Sequence, residues 1–135
     1  MDLFSEIKEM KILLVDDDEW IRGSMNLFFE TGGCHLTALE TAEEGINALK
    51  KQDFDIIIID YWLPGMGGFK YIRGSTSNAF KILMTAFGNN QIVEEANKVG
   101  VTCFISKPFT SDTVKSVLSR LIEARKKNTD VGRIK

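Results

Sequence analysis

The sequence predicts an α/β fold: a parallel β-sheet wound on both faces by helices. Three observations predict it. Five short apolar runs recur at a steady spacing: Ile12–Val15, Leu36–Leu39, Ile56–Ile59, Ile82–Met84 and Val101–Ile105. Most are rich in Ile, Val or Leu, as strands buried on both faces of a parallel sheet are. The segments between them carry apolar residues at helical spacing. Strand and helix thus alternate five times, and right-handed crossovers then place helices on both faces.

Taken in order, strand one is Ile12-Leu13-Leu14-Val15. Ile21, Met25 and Phe28 follow at i, i+4 and i+7, the stripe of a first helix, and Gly32-Gly33 closes it as an αL cap would. Strand two is Leu36–Leu39. Thr41-Ala42-Glu43-Glu44 reads as a capping box opening a second helix with its stripe at Ala42, Ile46 and Leu49. Strand three, Ile56–Ile59, is all isoleucine. The third helix, Phe69–Arg73, is short, and Gly74-Ser75-Thr76-Ser77-Asn78 after it has a loop composition. Strand four is Ile82–Met84. The fourth helix carries Ile92, Ala96 and Val99 and ends at Gly100. Strand five is Val101–Ile105. The fifth helix has the cleanest stripe: Val114, Val117, Leu118, Leu121 and Ile122. Residues 1–10 read as a lead-in, 11–124 as the domain, and 125–135 as a frayed helix end passing into a basic tail or linker.

Composition bounds the function. The chain has 135 residues, 44% hydrophobic and 27% charged, which suits one globular domain and not a disordered one. The net charge of −2 argues against a surface devoted to nucleic acid. The apolar runs are far shorter than the roughly 18 residues a membrane span needs, and the N-terminus lacks a secretory pattern. Two cysteines, Cys34 and Cys103, are too few for a disulfide framework and are both expected as buried free thiols in a reducing cytoplasm.

In such sheets ligands bind beyond the carboxyl ends of the strands. Strand one ends in Asp16-Asp17-Asp18, strand two in Glu40, strand three in Asp60, strand four in Thr85-Ala86 and strand five in Lys107-Pro108. A single acid there is explained by capping. Several converging carboxylates would repel unless a cation sat among them. A hard divalent ion, Mg²⁺ or Mn²⁺, answers that need. Lys107 adds a fixed positive charge and Thr85 a hydroxyl, so the crevice suits a phosphoryl group. The lone His35 stands at the entry to strand two, the opposite end of the sheet, so the phosphoryl donor must be another molecule.

Four motifs, Lys11-Ile12-Leu13-Leu14-Val15-Asp16-Asp17-Asp18, Ile58-Ile59-Asp60-Tyr61-Trp62-Leu63-Pro64-Gly65-Met66-Gly67-Gly68, Met84-Thr85-Ala86 and Lys107-Pro108-Phe109-Thr110, resemble the CheY-like receiver domain of two-component response regulators. The resemblance runs from about Lys11 to Ala124, and the four motifs in this order are highly specific. It implies a flavodoxin-like sheet of order 2-1-3-4-5 with five helices. It implies Asp60 as phosphoacceptor, Asp17 and Asp60 as direct Mg²⁺ ligands, Asp16 as holder of metal-bound water, and the Trp62 backbone carbonyl as the remaining protein ligand. Mn²⁺ would serve in place of Mg²⁺. Thr85 matches the switch hydroxyl, Lys107 the phosphoryl-binding lysine, and Phe104 the aromatic that turns inward on activation. The Lys107–Pro108 bond matches one that is usually cis. Trp62 is bulky where smaller residues are usual, and Phe104 stands where Tyr is common. The partners implied are a histidine kinase or phosphotransfer protein and an output domain or protein. A phosphorylation-dependent homodimer is left open. Neither nucleic acid nor membrane is implied.

Other classes fit less well. A haloacid dehalogenase-type phosphatase would need a second Asp at position 62, which is Trp62. P-loop and dinucleotide fingerprints are absent, and Gly65-Met66-Gly67-Gly68 reads as a tight turn. A receiver with a dead site is opposed by the intact Asp16, Asp17, Asp60, Thr85 and Lys107. The chain is therefore expected to be a signalling receiver and not an enzyme acting on other substrates.

Overall fold

The computed structural model describes residues 2–63, 79–86, 90–98 and 100–134. The expected third helix at 69–73, the loop at 74–78, the turn at 65–68 and Val99 lie outside the described residues. Five strands are seen: β1 (Ile12–Val15), β2 (Leu36–Leu39), β3 (Ile56–Asp60), β4 (Phe80–Thr85) and β5 (Cys103–Ser106). All pair in parallel, in the order β2-β1-β3-β4-β5. The described helices are α1 (Leu3–Ile7), α2 (Glu19–Thr31), α3 (Ala42–Lys51), α4 (Asn90–Lys98) and α5 (Ser111–Ile134). The first helix of the sequence reading is thus α2. Among the described residues, no helix is long and apolar enough to cross a membrane.

Period-two alternation splits the core into two layers. Ile12, Leu14, Ile56, Ile58, Ile82, Met84 and Ile105 face one way, against Met25 and Phe29 of α2 and the Val114–Ile122 stripe of α5. Leu13, Val15, Ile57, Ile59 and Leu83 face the other way, against Ala42 of α3 and Ile92 and Ala96 of α4. Because both faces are covered, the central strands β1 and β3 are buried at every residue, whereas the edge strand β2 is only half-buried.

The helix ends are fixed by local chemistry. Asp18 caps α2 by accepting from the Trp20 and Ile21 amides. Thr41 and Glu44 form the reciprocal capping box of α3. Gly33 and Gly100 both have positive φ, 77° and 89°, which a side chain would make costly.

Several boundaries differ from the sequence reading. Strand β4 begins at Phe80, because its amide donates to the Asp55 carbonyl at 2.9 Å. Strand β5 begins at Cys103, and Thr102 instead ties back to the Lys81 carbonyl at 2.7 Å. The lead-in contains α1, whose Ile7 is fully buried in the layer under α2 and α5. A helix of five residues has no stability of its own, so α1 exists only by packing. At the other end, α5 continues as helix to Ile134.

Candidate functional site

The acids gather where β1, β3 and β5 end. Asp16 directly follows β1 and is fully buried, and Asp60 is the last residue of β3, paired with Met84 of β4. Four isoleucines precede Asp60, so the chain leaves the apolar core straight into a carboxylate. Asp17 is exposed. One carboxylate oxygen from each of Asp16, Asp17 and Asp60 lies within 4.8 Å of the others.

Lys107 enters from the end of β5. Its Nζ donates to Asp16 Oδ2 at 3.0 Å and lies 3.1 Å from Asp60 Oδ1. The backbone amide of Lys107 donates to the Thr85 carbonyl at 2.9 Å, which ties the lysine to the end of β4. The Lys107–Pro108 peptide is cis. Thr85 is buried.

Charge and burial oppose each other here. Burial pushes the Asp60 carboxyl above the usual carboxylate range, and the Asp16 charge pushes the same way. The hydrogen bond and charge of Lys107, with the Trp62 backbone amide, partly offset this. Burial alone would lower the Lys107 ammonium, but hydrogen bonds and charge attraction from Asp16 and then Asp60 raise it overall. One ammonium against three carboxylates leaves the crevice negative. The donor set is all hard oxygen, closely spaced and open to solvent at Asp17, which fits a divalent ion that keeps several waters.

The predicted site residues divide as follows. Asp16, Asp17, Asp60 and Lys107 come together, and Thr85 adjoins through the Lys107 backbone. Glu40, at the end of β2, is exposed and stands outside the acidic trio. The Trp62 side chain is 67% exposed, its ring 5.2 Å from that of Tyr61 and edge-on to it. Phe104 is half-buried on β5, opposite Leu83 in register, and Thr85 is opposite Ser106. Residues 83, 85 and 104 therefore share one face of the sheet, with Thr85 and Phe104 one step apart.

Sequence reasoning missed Arg22. Its Nη1 donates to the main-chain carbonyl of Asp16 at 2.9 Å. The signal available was faint: a lone arginine in the second turn of a helix that begins at the acids. Cys34 and Cys103 are both free, but only Cys34 is buried as expected; Cys103, the first residue of β5, is half-buried, and His35 is exposed.

Comparison with known proteins gives a consistent result. The family model described as the response regulator receiver domain matches residues 12–119. Chemotaxis protein CheY-3 of Vibrio cholerae is 34% identical over 124 residues, covering 86% of this chain and 94% of that protein. Sporulation initiation phosphotransferase F of Bacillus subtilis is 26% identical over 115 residues, covering 83% of this chain and 93% of that protein. Among solved structures, the Vibrio cholerae chemotaxis protein CheY4 superposes with a TM-score of 0.77 at 26% identity, over 82% of this chain and 97% of that one. A CheY-like receiver domain from Methanospirillum hungatei gives 0.81 at 23% identity, over 88% and 98%, a likeness of fold alone.

Proposed function

This chain belongs to the family of response regulator receiver domains, a signalling module of two-component systems, and from that premise we propose that Asp60 is its phosphoacceptor. The observation that carries the reading is the shared Lys107: one ammonium bridging two buried carboxylates from two different strands, beside an exposed third. A structural ion pair would need one acid. Three acids and one lysine at the sheet's switch point suit a cation and a phosphoryl group together.

In the transfer, an Asp60 Oδ forms a bond to phosphorus as the phosphorus–nitrogen bond of a donor phosphohistidine breaks. The leaving imidazole nitrogen keeps the electron pair of that bond. Lys107, already 3.1 Å from Asp60, neutralises charge on the transferring oxygens. Asp16, Asp17, Asp60 and the Trp62 carbonyl would hold Mg²⁺, which when bound neutralises phosphoryl charge. Asp16 keeps Lys107 aimed at the crevice through its own Oδ2. The donor is a histidine kinase or phosphotransfer protein, the setting the cytoplasm, and the output a separate domain or protein.

Thr85 and Phe104 form the switch. The Thr85 hydroxyl moves toward the phosphoryl group, and the Phe104 ring, one step away on the same face, fills the space released. The surface of α4, β5 and α5 changes shape, and partner affinity follows by the difference between the two states. An identical Phe104 rotamer in structures with and without a phosphoryl mimic would remove the switch from this account.

The deciding experiment is labelling with a small acyl phosphate donor in Mg²⁺. The wild type should form an acyl phosphate on Asp60, and Asp60→Asn should form none. Undiminished labelling of the variant overturns the assignment.

A further inference from the structure

Asp16 is engaged at every polar atom. Its amide donates to the Leu39 carbonyl at 3.0 Å. Its Oδ1 accepts from the Asp18 amide at 2.8 Å, and its Oδ2 from Lys107 Nζ at 3.0 Å. Its main-chain carbonyl accepts from Arg22 Nη1 at 2.9 Å. Of these four bonds, the one from Arg22 alone runs from a helix side chain back to the loop that carries the acids.

We propose that Arg22 is a positioning residue for the cation site: by closing on the Asp16 carbonyl it locks the β1–α2 loop that presents Asp16 and Asp17 to Asp60. The proposal rests on the reading of this crevice as a phosphoacceptor site with a bound divalent ion.

The physical case has three parts. Asp16 is fully buried, so its carbonyl must find a donor within the protein. Residues 16–18 turn from a strand into a helix, and the Asp18 cap fixes only the helix side of that turn. The Arg22 bond fixes the strand side, joining residues six apart through a side chain half-buried on α2. Two of the three acids of the cation site therefore sit on a loop clamped at both ends. The donor is also a cation, so the bond is charge-assisted and sets positive charge behind carboxylates that repel one another. A planar guanidinium holds one direction better than an ammonium on a flexible stem. Partners that orient a ligand without touching the ion typically change metal affinity about 10- to 100-fold when removed.

The test is Mg²⁺ titration of the full chain, followed by the fluorescence of Trp20 and Trp62, which flank the acids in sequence. Melting temperature is measured in chelator beside it. Arg22→Met, which keeps the apolar stem and removes the donor, should raise the half-saturating Mg²⁺ concentration about tenfold or more. Arg22→Lys, which keeps the charge and loses the fork, should fall between Met and wild type. The rate of acyl phosphate formation should fall at low Mg²⁺ and largely return at saturation. A lower melting temperature with half-saturation unchanged from wild type in either variant overturns the proposal and makes Arg22 an ordinary stabiliser. If Arg22→Met does not fold, Arg22→Lys carries the same criterion. A wild type that neither responds to Mg²⁺ nor labels at Asp60 sinks the underlying phosphoacceptor reading instead, and is told apart because it fails without any substitution at Arg22.

Discussion

The two ends of the sheet are held by opposite physics. At the carboxyl ends of β1 and β3, buried Asp16 and Asp60 share one lysine, with the exposed Asp17 beside them, so among the described residues in contact at the crevice the carboxylates outnumber the ammonium. At the amino ends, α1 packs by apolar contact into the layer formed by α2 and α5. Ile7 is fully buried there. The Phe4 ring lies 5.3 Å from Phe28, and Phe28 in turn stands edge-on to Phe29 at 5.0 Å. Lys115 Nζ sits 6.0 Å from the Phe4 ring centre, and Lys126 pairs with Glu6 at 2.9 Å, so α5 is tied to α1 as well. One end keeps an electrostatic cost that a ligand can relieve. The other is held by apolar contact and supplies stability. The proposed function and the stability are thus segregated along the strand axis, and substitutions at the two ends should change different measurements.

The largest effect is expected at the apolar end. Ile7→Ala removes a fully buried side chain from between α1, α2 and α5. Such truncations cost about 2–5 kcal/mol, read by urea unfolding, while half-saturating Mg²⁺ should stay at the wild-type value. A changed Mg²⁺ response would mean that the two ends are coupled through the sheet.

A smaller effect tests how tightly the seal is fitted. Gly32 has an ordinary negative φ of −85°, so its backbone would accept alanine. A Cβ there would nevertheless run into the Phe4 ring. Gly32→Ala should therefore cost about 1–3 kcal/mol by overpacking. In a Phe4→Ala background the same change should cost little, giving a clear coupling in a double-mutant cycle. Equal costs in both backgrounds would show that Phe4 does not fill that space.

The smallest effect belongs to the acidic end in metal-free protein. Burial, and then the Asp16 charge, raise the folded pKa of Asp60 above its unfolded value of about 3.9. A proton on Asp60 is bound more tightly in the folded state. The resulting stability is fully present below the unfolded pKa and is lost as pH rises through the folded one. In chelator the wild type should lose stability across that window relative to Asp60→Asn, whose amide does not titrate, and Mg²⁺ should restore it. At the other end the Cys34 thiol, raised by burial and then by the Asp2 charge, stays protonated throughout and contributes no slope. A wild-type curve parallel to that of Asp60→Asn would show that the crevice carries no unrelieved charge.

Much of the frame was legible because its signals are local. An aliphatic run ending in Asp60, a Thr41–Glu44 capping box and the Val114–Ile122 stripe each declare themselves within a few residues, at the scale of one turn or one strand. The strand boundaries at Phe80 and Cys103 were less legible, because ladder hydrogen bonds with a neighbouring strand set them. The strand order was reached by resemblance to a family and not by periodicity, which is blind to which strands lie side by side.

By itself, then, the sequence determined the alternation of strands and helices and the identity of the acids, the threonine and the lysine at the strand ends. Apolar period and capping chemistry depend on near neighbours alone. Only the tertiary structure decided that Lys107 bridges Asp16, 91 residues away, to Asp60, and that Arg22 closes on the Asp16 carbonyl. It also decided that Phe4 seats against Gly32 and makes a helix of a five-residue segment. These contacts depend on which elements pack together and at what register, and the free energy that selects them comes from burying whole faces, not from any one segment of chain.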